Sequence, residues 1–370
     1  MRSGIKNFNM TNLFVPVFVL ALVWTPATAQ KGNRSERYTD AYKKYLDAAC
    51  PVKKDSIRHF VYFAKNRELI KDHPLLSHAM FEGAQIMYAW RDLEPEKGKY
   101  DLSILKEDFE YLRQHGKKLF VQLQDVTFNP NYKAVPDYLL TAEYDGGAVM
   151  QYNDDNSPGG WVAKRWNKNV RERFALLLAA LGKEFDGKLE GINLQETAIG
   201  VKDTSFTRLD YVNGLKENML ALKKAFHSSV TMIYANFIPG EWLPWEDKGY
   251  LRSIYQYGEE IGVGLGGPDL MVTRKGQLNH ALAMMHEGRY TVPLGIAVQD
   301  GNYIGETGDI NEEMKKKPHQ HIVPLLVAFA KDFLKVKYMF WVDQKPYFEE
   351  DVLSCFDPGP GNTKNVTTDK

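Results

Sequence analysis

The chain has 370 residues, with 47 Lys and Arg against 47 Asp and Glu, so its formal net charge is zero. This balance gives no electrostatic reason to expect nucleic acid or an anionic membrane surface as a partner, and we predict neither. The length allows one large domain or two small ones, and the 12% aromatic content suits a well-filled core or a sugar-binding cleft.

The first 29 residues have the pattern of a secretory signal peptide. A basic start (Arg2, Lys6) precedes an apolar run at 13–24 and an A-x-A cleavage site that ends at Ala29. The apolar run is shorter than the roughly 20 residues that a membrane span needs. We therefore predict cleavage after Ala29, export to the periplasm or the extracellular space, and no membrane span in the mature chain. A retained membrane anchor is the alternative.

Residues 30–54 are charged and include a short amphipathic stretch, which predicts a helix outside the core. Cys50 and Cys355 lie at opposite ends of the main body of the chain. In an oxidising compartment they can form a bridge, but two unpaired, buried thiols fit the sequence equally well. Residues 357–370 are predicted to be a flexible tail.

The main body, 55–356, alternates apolar strands with helices. We predict strands at 58–64, 83–90, 117–125, 189–196, 229–237, 262–267, 291–300 and 336–342, and helices at 73–81, 101–115, 167–185, 206–227, 247–261, 276–287, 319–334 and 349–356. Eight such units with near-continuous apolar strands indicate a parallel sheet covered by helices. The count of eight favours a single (β/α)8 TIM barrel, with long loops after strands three and five.

In a (β/α)8 barrel the chemistry lies at the C-terminal ends of the strands. The candidate residues at these ends are Trp90, Arg91, Gln124, Gln195, Glu196, Asn236, Asp269, Gln299, Asp300 and Trp341. This set is rich in amides, carboxylates and indoles and poor in His and Cys, so we predict no metal site and no cofactor. A metal-dependent lyase or isomerase is the least favoured alternative.

Glu196 and Asp300 follow strands four and seven, on opposite sides of the predicted barrel mouth. Hydrolysis of a glycosidic bond needs two carboxyl groups, about 5–5.5 Å apart for retention and further apart for inversion. Taken singly, each acid is better explained as a loop residue or a helix cap. Taken together, they predict a glycoside hydrolase with Glu196 as the acid and Asp300 as the nucleophile, and Glu306 is a reserve nucleophile. A non-catalytic carbohydrate-binding barrel is the alternative.

The other strand-end residues are candidates for binding an oligosaccharide or polysaccharide. Gln195 could bind a sugar 2-hydroxyl, or be a loop amide satisfied by backbone groups. Arg91 could hold Asp300 ionised, or form a structural ion pair. Aromatic side chains in the long loops could stack on sugar rings or pack on the barrel rim, and these are Trp161, Trp166, Trp242 and Trp245.

The segment 87–123 resembles the retaining (β/α)8 enzymes of glycoside hydrolase clan A. It has their W-x-x-x-E-P-x-x-G-x-Y-D pattern, formed by Trp90, Glu94, Pro95, Gly98, Tyr100 and Asp101. The chain looks most similar to a bacterial branch of these enzymes, with "GINLQETA", "GLGGPD" and "AVQD" at strands four, six and seven. The resemblance implies an acid/base at Glu196, a nucleophile at Asp300 or Gln299, and Trp341 beneath the sugar ring. Gln195 stands where these enzymes usually have Asn, and Asp300 where they usually have Glu.

Overall fold

The structure is a computed structural model that describes residues 36–203, 205–307 and 322–356. The predicted signal peptide (1–29) and the predicted tail (357–370) lie outside the described residues. Eight parallel strands close into a barrel in the order β1-β10-β9-β8-β7-β6-β3-β2, and two further strands, β4 and β5, form a separate sheet. The predicted (β/α)8 barrel is therefore confirmed.

The element bounds follow the predicted order. The strands are β1 Arg58–Tyr62, β2 Phe81–Ala89, β3 Lys118–Gln124, β4 Ala148–Tyr152, β5 Pro158–Ala163, β6 Gly191–Leu194, β7 Val230–Tyr234, β8 Gly264–Gly267, β9 Leu294–Val298 and β10 Tyr338–Val342. The helices are α1 Trp90–Leu93, α2 Ser103–Gln114, α3 Lys168–Phe185, α4 Arg208–Ala225, α5 Tyr250–Ile261, α6 Lys275–Leu278, α7 Ala281–Glu287, α8 Val323–Phe329 and α9 Ser354–Phe356. The chain also has two π-helical segments. Ala330–Leu334 directly follows α8, and Phe348–Leu353 directly precedes α9.

Two predicted helices are wrong. The segment 73–81 contains only the 3-10 turn Pro74–Leu76, because β2 already begins at Phe81 and leaves too few residues for a helix. The N-terminal amphipathic stretch is the 3-10 turn Ala41–Tyr45. It does not lie outside the core, because Tyr45 is buried with its ring 5.7 Å from that of Phe329.

The barrel interior is filled by aromatic side chains. Arg58, Phe60 and Tyr62 alternate along β1 and therefore share one face. Tyr62 lines the cleft at the barrel mouth, so this face is the interior. Below it, Phe120 packs edge-on against Phe60 and Phe340, with ring centroids 6.0 and 5.0 Å apart. The interior is thus a packed core, and the mouth is the part left open for a ligand.

The glycines of the sixth barrel strand, β8, serve packing between strands. Gly266 pairs with Gly295 of β9. A Cβ on Gly266 would lie 2.4 Å from the carbonyl oxygen of Gly295, so no larger residue fits without moving the strand.

The long loop after the third barrel strand contains an unpredicted hairpin, formed by β4 and β5. Its strands are attached to the loops around them. The Tyr152 amide donates to the Gly200 carbonyl over 2.8 Å, and the Gln151 side-chain amide donates to the Thr127 carbonyl over 2.6 Å. These bonds hold the hairpin as one wall of the barrel mouth.

A disulfide joins Cys50 to Cys355, which resolves the alternatives left open by the sequence. It ties the segment before β1 to α9, and the Val52 amide donates to the Cys355 carbonyl over 2.9 Å beside it. Within the described ranges, no helix combines the length and the apolar character required to cross a membrane.

Candidate active site

A cleft of about 1060 Å³ opens at the C-terminal mouth of the barrel. It is lined from the barrel strands and their following loops by Tyr62, Met87, Gln122, Phe128, Gln195, Glu196, Ala198, Ile199, Gly200, Tyr234, Asn236, Phe237, Trp242, Pro268, Asp269, Arg274, Gln299, Asp300 and Thr307. The β4–β5 hairpin contributes Gln151, Tyr152, Asn153, Asp154, Asp155 and Gly159. Of the eleven predicted site residues, seven therefore line one cleft: Gln195, Glu196, Asn236, Trp242, Asp269, Gln299 and Asp300.

Glu196 follows directly after β6, the fourth barrel strand, and its position is fixed from both sides. The Asn236 side-chain amide donates to Glu196 Oε2 over 2.7 Å. The next residue, Thr197, is buried and ties the loop to β7, since its amide donates to the Tyr234 carbonyl and its hydroxyl to the Phe237 carbonyl, over 2.9 and 2.6 Å. The carboxyl is therefore held in one place at the mouth.

Burial, together with the charge of the nearby Asp269 carboxyl, raises the pKa of Glu196 to about 7. The hydrogen bond from Asn236 and the charge of Arg165 act in the opposite direction, because both favour the ionised form. A carboxyl with a pKa of about 7 is present in both protonation states near neutral pH. It can therefore donate a proton in one step and accept one in the next.

Arg165 supports Glu196 from below. Its guanidinium donates two hydrogen bonds to the Asp125 carboxylate, of 2.6 and 2.7 Å, and both side chains are buried. Its Nη1 also donates to the Glu196 carbonyl over 2.8 Å and to the Tyr211 hydroxyl over 3.0 Å. Asp125 and Arg165 both belong to the loop after β3, so the hydrogen bond from Arg165 to the Glu196 carbonyl joins that loop to the loop that carries Glu196.

Asp300 and Gln299 follow β9, the seventh barrel strand, and both line the cleft. The Gln299 amide donates to the side-chain oxygen of Asn302 over 2.9 Å, which sets the turn that carries Asp300. Glu306, the reserve nucleophile, is not one of the described lining residues, and its carbonyl accepts a hydrogen bond from Asn302 over 3.0 Å.

Asp269 comes from the loop after β8 and lines the same cleft. Its Oδ1 accepts a hydrogen bond of 3.0 Å from the side-chain amide of Asn302. Burial raises the pKa of Asp269, while the Asn302 hydrogen bond and the charge of Arg274 oppose that rise. Three carboxyls of the cleft thus follow the fourth, sixth and seventh barrel strands, and the hairpin adds Asp154 and Asp155.

The side-chain oxygen of Gln195 is used by the backbone. It accepts hydrogen bonds from the amides of Asp125 and Val126, of 2.9 and 2.8 Å. This is the loop-amide alternative that the sequence left open. The nitrogen of the same side chain points towards Met87, 3.9 Å from its sulfur, and is the part of Gln195 that a sugar hydroxyl could meet.

Two predicted sugar-binding indoles lie behind the barrel wall instead of in the cleft. Trp341 is fully buried and donates from its indole nitrogen to His59 Nδ1 over 3.1 Å, so the expected position beneath a sugar ring is wrong. Side chains alternate along a strand, and in β10 it is Phe340 that faces the interior. Trp90 is also fully buried, and its indole nitrogen donates to Glu94 over 2.9 Å.

Arg91 and Gln124 also lie outside the set of described lining residues. Arg91 forms an ion pair with Asp137 at 3.3 Å and donates to the Lys133 carbonyl, which matches the structural alternative rather than a role at Asp300. Gln124 is buried, and its side-chain oxygen has no hydrogen-bond partner within the described part of the chain.

Of the four loop tryptophans, only Trp242 lines the cleft, and its side chain is 36% exposed. Trp166 stacks on Phe206 at 3.9 Å, and Trp161 donates to the Pro130 carbonyl, so both pack on the rim. Tyr62 also lines the cleft, and the sequence analysis did not predict this. It is the last residue of the apolar strand β1, and no polar residue next to it marks a site.

The hairpin tip was missed as well, because nothing in the sequence of the long loop indicated where it would fold back. Across the described ranges, no group of three or more His, Cys, Asp or Glu side chains is arranged to hold a metal ion.

The comparisons with known proteins concern the fold. No protein-family model matches the sequence, and no curated protein matches it. The catalytic domain of a β-amylase from Paenibacillus polymyxa aligns with a TM-score of 0.50 and 8% identity, over 78% of this chain and 93% of that one. A GH5_18 protein from Bifidobacterium longum subsp. longum, in complex with Manβ1-4GlcNAc, aligns with a TM-score of 0.50 and 12% identity, over 77% and 68%. The chain shares their fold. The expected structural resemblance to (β/α)8 glycoside hydrolases is confirmed.

Proposed function

We propose that this protein is an O-glycosyl hydrolase that cleaves an oligosaccharide or polysaccharide with the carboxyl pair Glu196 and Asp300. The observation that carries the proposal is Glu196 itself. It stands at the end of the fourth barrel strand, faces an open cleft, and has a pKa of about 7. These are the position and the protonation behaviour that a general acid for glycoside hydrolysis requires.

In the retaining form of the mechanism, Glu196 gives its proton to the glycosidic oxygen as the bond from that oxygen to the anomeric carbon breaks. The Asp300 carboxylate attacks the anomeric carbon and forms a covalent glycosyl ester. Glu196, now ionised, then takes a proton from water, whose oxygen attacks the anomeric carbon and releases Asp300. If the two carboxyls are more widely separated, Asp300 instead activates water and the configuration inverts.

The cleft also supports a saccharide longer than one unit. Trp242 and Phe128 line it from the loops after β7 and β3, on either side of the strand that leads to Glu196. Both side chains are exposed, at 36% and 65%, although they are large and apolar. Flat apolar rings at the edge of a polar cleft are suited to contact with the C–H faces of sugars.

Glu196→Gln tests the proposal. The substitution keeps the shape of the side chain but removes the proton that the mechanism needs. Reducing-sugar release from a panel of polysaccharides, and aryl-glycoside hydrolysis, should fall to background. Glu184→Gln, a half-exposed acid on α3, is the matched control and should keep full activity. Unchanged turnover in Glu196→Gln would refute the assignment.

A non-catalytic carbohydrate-binding barrel is the second candidate, favoured by one observation. The acid on the seventh barrel strand is Asp300, whose side chain is one methylene shorter than Glu, and Gln299 beside it has no charge. Glycan-array binding with no hydrolysis of any bound glycan would support this function over the first.

We also propose that the protein is exported, with residues 1–29 removed. The disulfide between Cys50 and Cys355 supports this proposal, because stable disulfides form mainly in oxidising compartments. N-terminal sequencing of the protein from the native host should begin at Gln30. A start at Met1 on membrane-bound protein would indicate a retained anchor instead.

A further inference from the structure

Asn302 is a buried side chain that connects the loops after β8 and β9. Its oxygen accepts hydrogen bonds from the amides of Leu270 and Gln299, of 3.2 and 2.9 Å. Its nitrogen donates to Asp269 Oδ1 and to the Glu306 carbonyl, each over 3.0 Å. All the hydrogen-bonding atoms of this amide therefore have partners, and the side chain is only 1% exposed. One residue thus sets the positions of both loops and of the Asp269 carboxyl.

The strand order of the barrel places Asp269 between the two proposed catalytic acids. Around the mouth, β9 carries Asp300, β8 leads to Asp269, and only β7 separates β8 from the strand that leads to Glu196. All three carboxyls line the same cleft. The glycosidase mechanism uses two of them, so the third, Asp269, has no role in it.

We propose that Asp269 is a positioning residue of the catalytic centre, held by Asn302 at the cleft so that its negative charge keeps the proton on Glu196. This inference rests on the proposed hydrolase function and deepens it. Like charges placed close together disfavour ionisation of the second group. An ionised Asp269 therefore keeps a larger fraction of Glu196 protonated at neutral pH, without touching the bond that breaks.

The other groups around Glu196 do not replace this effect. Besides Asp269, the titratable and charged groups around Glu196 are Tyr62 from β1, Asp125 and Arg165 from the loop after β3, Tyr211 from α4 and Tyr234 from β7, with Tyr152, Asp154, Asp155, Arg274 and Asp300 along the same cleft. Arg165 lowers the pKa of Glu196, and its charge is partly balanced by its ion pair with Asp125. Burial raises the pKa of Tyr211 to about 12 and that of Tyr62 well above its usual value, so both phenols are neutral near pH 7.

The test titrates Glu196 directly and needs no substrate. The protein is labelled with ¹³C at the Glu side-chain carboxyl, and the Glu196 resonance is identified by its disappearance in Glu196→Gln. The expected midpoint in the wild-type protein is about 7. In Asp269→Asn, which keeps the shape and can still accept from Asn302, the midpoint should fall by roughly one pH unit.

A second variant tests the hydrogen bond by which Asn302 holds Asp269. Asn302→Ser removes the donor that favours the ionised form of Asp269, so Asp269 should hold its proton to higher pH and the Glu196 midpoint should again fall. Asp154→Asn removes an equal charge from the hairpin side of the cleft and should leave the midpoint within about 0.3 unit, because exposed charges are screened by solvent.

An unchanged midpoint in Asp269→Asn would overturn the inference, as would a wild-type Glu196 that titrates near 4.5. The second result needs no variant and so does not depend on whether the variants fold. The proposed function fails separately. If Glu196→Gln hydrolyses glycans as fast as wild type, the hydrolase assignment is wrong whatever the titration shows. If that variant is inactive and the midpoint does not move, only the role of Asp269 is wrong.

Discussion

The side-chain amide of Asn236 donates a hydrogen bond of 2.7 Å to Oε2 of Glu196. The bond joins the end of the fifth barrel strand to the acid that follows the fourth. An amide nitrogen can only donate, so it favours the ionised carboxylate and lowers the pKa that burial raises. The proton affinity of Glu196 is therefore set by groups that act in opposite directions.

Asn236→Ala should move the alkaline limb of the pH–activity profile upwards. Without the donor, the ionised form of Glu196 loses a hydrogen bond and its pKa rises, by about one unit for a bond worth roughly 1.4 kcal/mol. The measurement is kcat/KM against pH on the best substrate of the glycan panel. A limb that moves to lower pH would contradict the role assigned to Asn236. The shift expected for Asp269→Asn has the opposite sign.

Glu196→Gln should make the protein more stable at pH 8 but not at pH 4. The pKa of Glu196 is about 7 in the folded protein against an ordinary value of 4.5, so folding is penalised increasingly as pH rises from 4.5 to 7. The full shift corresponds to roughly 3 kcal/mol, and solvent in the cleft reduces it to about 2 kcal/mol.

Urea unfolding at both pH values measures this difference. Glu184→Gln, whose carboxyl is on the surface of α3 and has a lowered pKa, should show no such gain at pH 8. A stability difference between wild type and Glu196→Gln that is the same at both pH values would show that burial does not shift the Glu196 carboxyl.

Trp242→Ala should weaken glycan binding about tenfold, and Trp245→Ala should not. Both residues are exposed and lie in the same loop, but only Trp242 is among the described lining residues of the cleft. Loss of one ring contact of about 1.4 kcal/mol accounts for the factor. Isothermal titration calorimetry on the Glu196→Gln background, with the best-bound oligosaccharide, makes the comparison. Equal effects of the two substitutions would remove Trp242 from the binding surface.

Arg165→Lys should destabilise the protein by about 3–5 kcal/mol. Lysine cannot make the two parallel hydrogen bonds to Asp125, and the substitution leaves a buried carboxylate poorly paired. Arg113→Lys is the control, because Arg113 also donates two hydrogen bonds to one carboxylate, both to Oε2 of Glu110, but that pair is exposed, and the substitution should cost less than about 1 kcal/mol. Chemical denaturation of both variants measures their free energies of unfolding. Equal losses of stability would show that burial of the Arg165–Asp125 pair does not increase the cost of the substitution.

Replacing both Cys50 and Cys355 with Ser should lower the free energy of unfolding by about 2–5 kcal/mol. The bridge joins residues 305 positions apart in the sequence, so it closes almost the whole chain of the barrel into one loop. Without the bridge the unfolded chain has more conformational entropy, and this stabilises the unfolded state. Calorimetry with and without reductant measures the change. Reductant should lower the melting temperature of the wild type towards that of the double variant and leave the variant unchanged. If reductant left the melting temperature of the wild type unchanged although unfolding exposes the bridge, the bridge would not constrain the chain.

The alternation of apolar strands and helices was sufficient to predict the barrel, because each strand buried on both faces must be apolar throughout. It was also sufficient to place Glu196 at the mouth, since the strands of a parallel barrel all end at the same face and the residue after each strand therefore lies there. The motif that carries the family resemblance has a structural use. Glu94 accepts from the Trp90 indole and from the Gly98 amide, and so shapes the connection after β2.

Only the tertiary structure decided which strand-end side chains face the cleft. A shift of one residue in a strand turns a side chain from the interior to the helix layer, and predicted strand ends are less precise than that. Trp341 and Trp90 were assigned to the wrong side of the wall for this reason. The contacts around Asp269 and Asn302 join residues of two different loops, and no local pattern in either loop predicts that they meet.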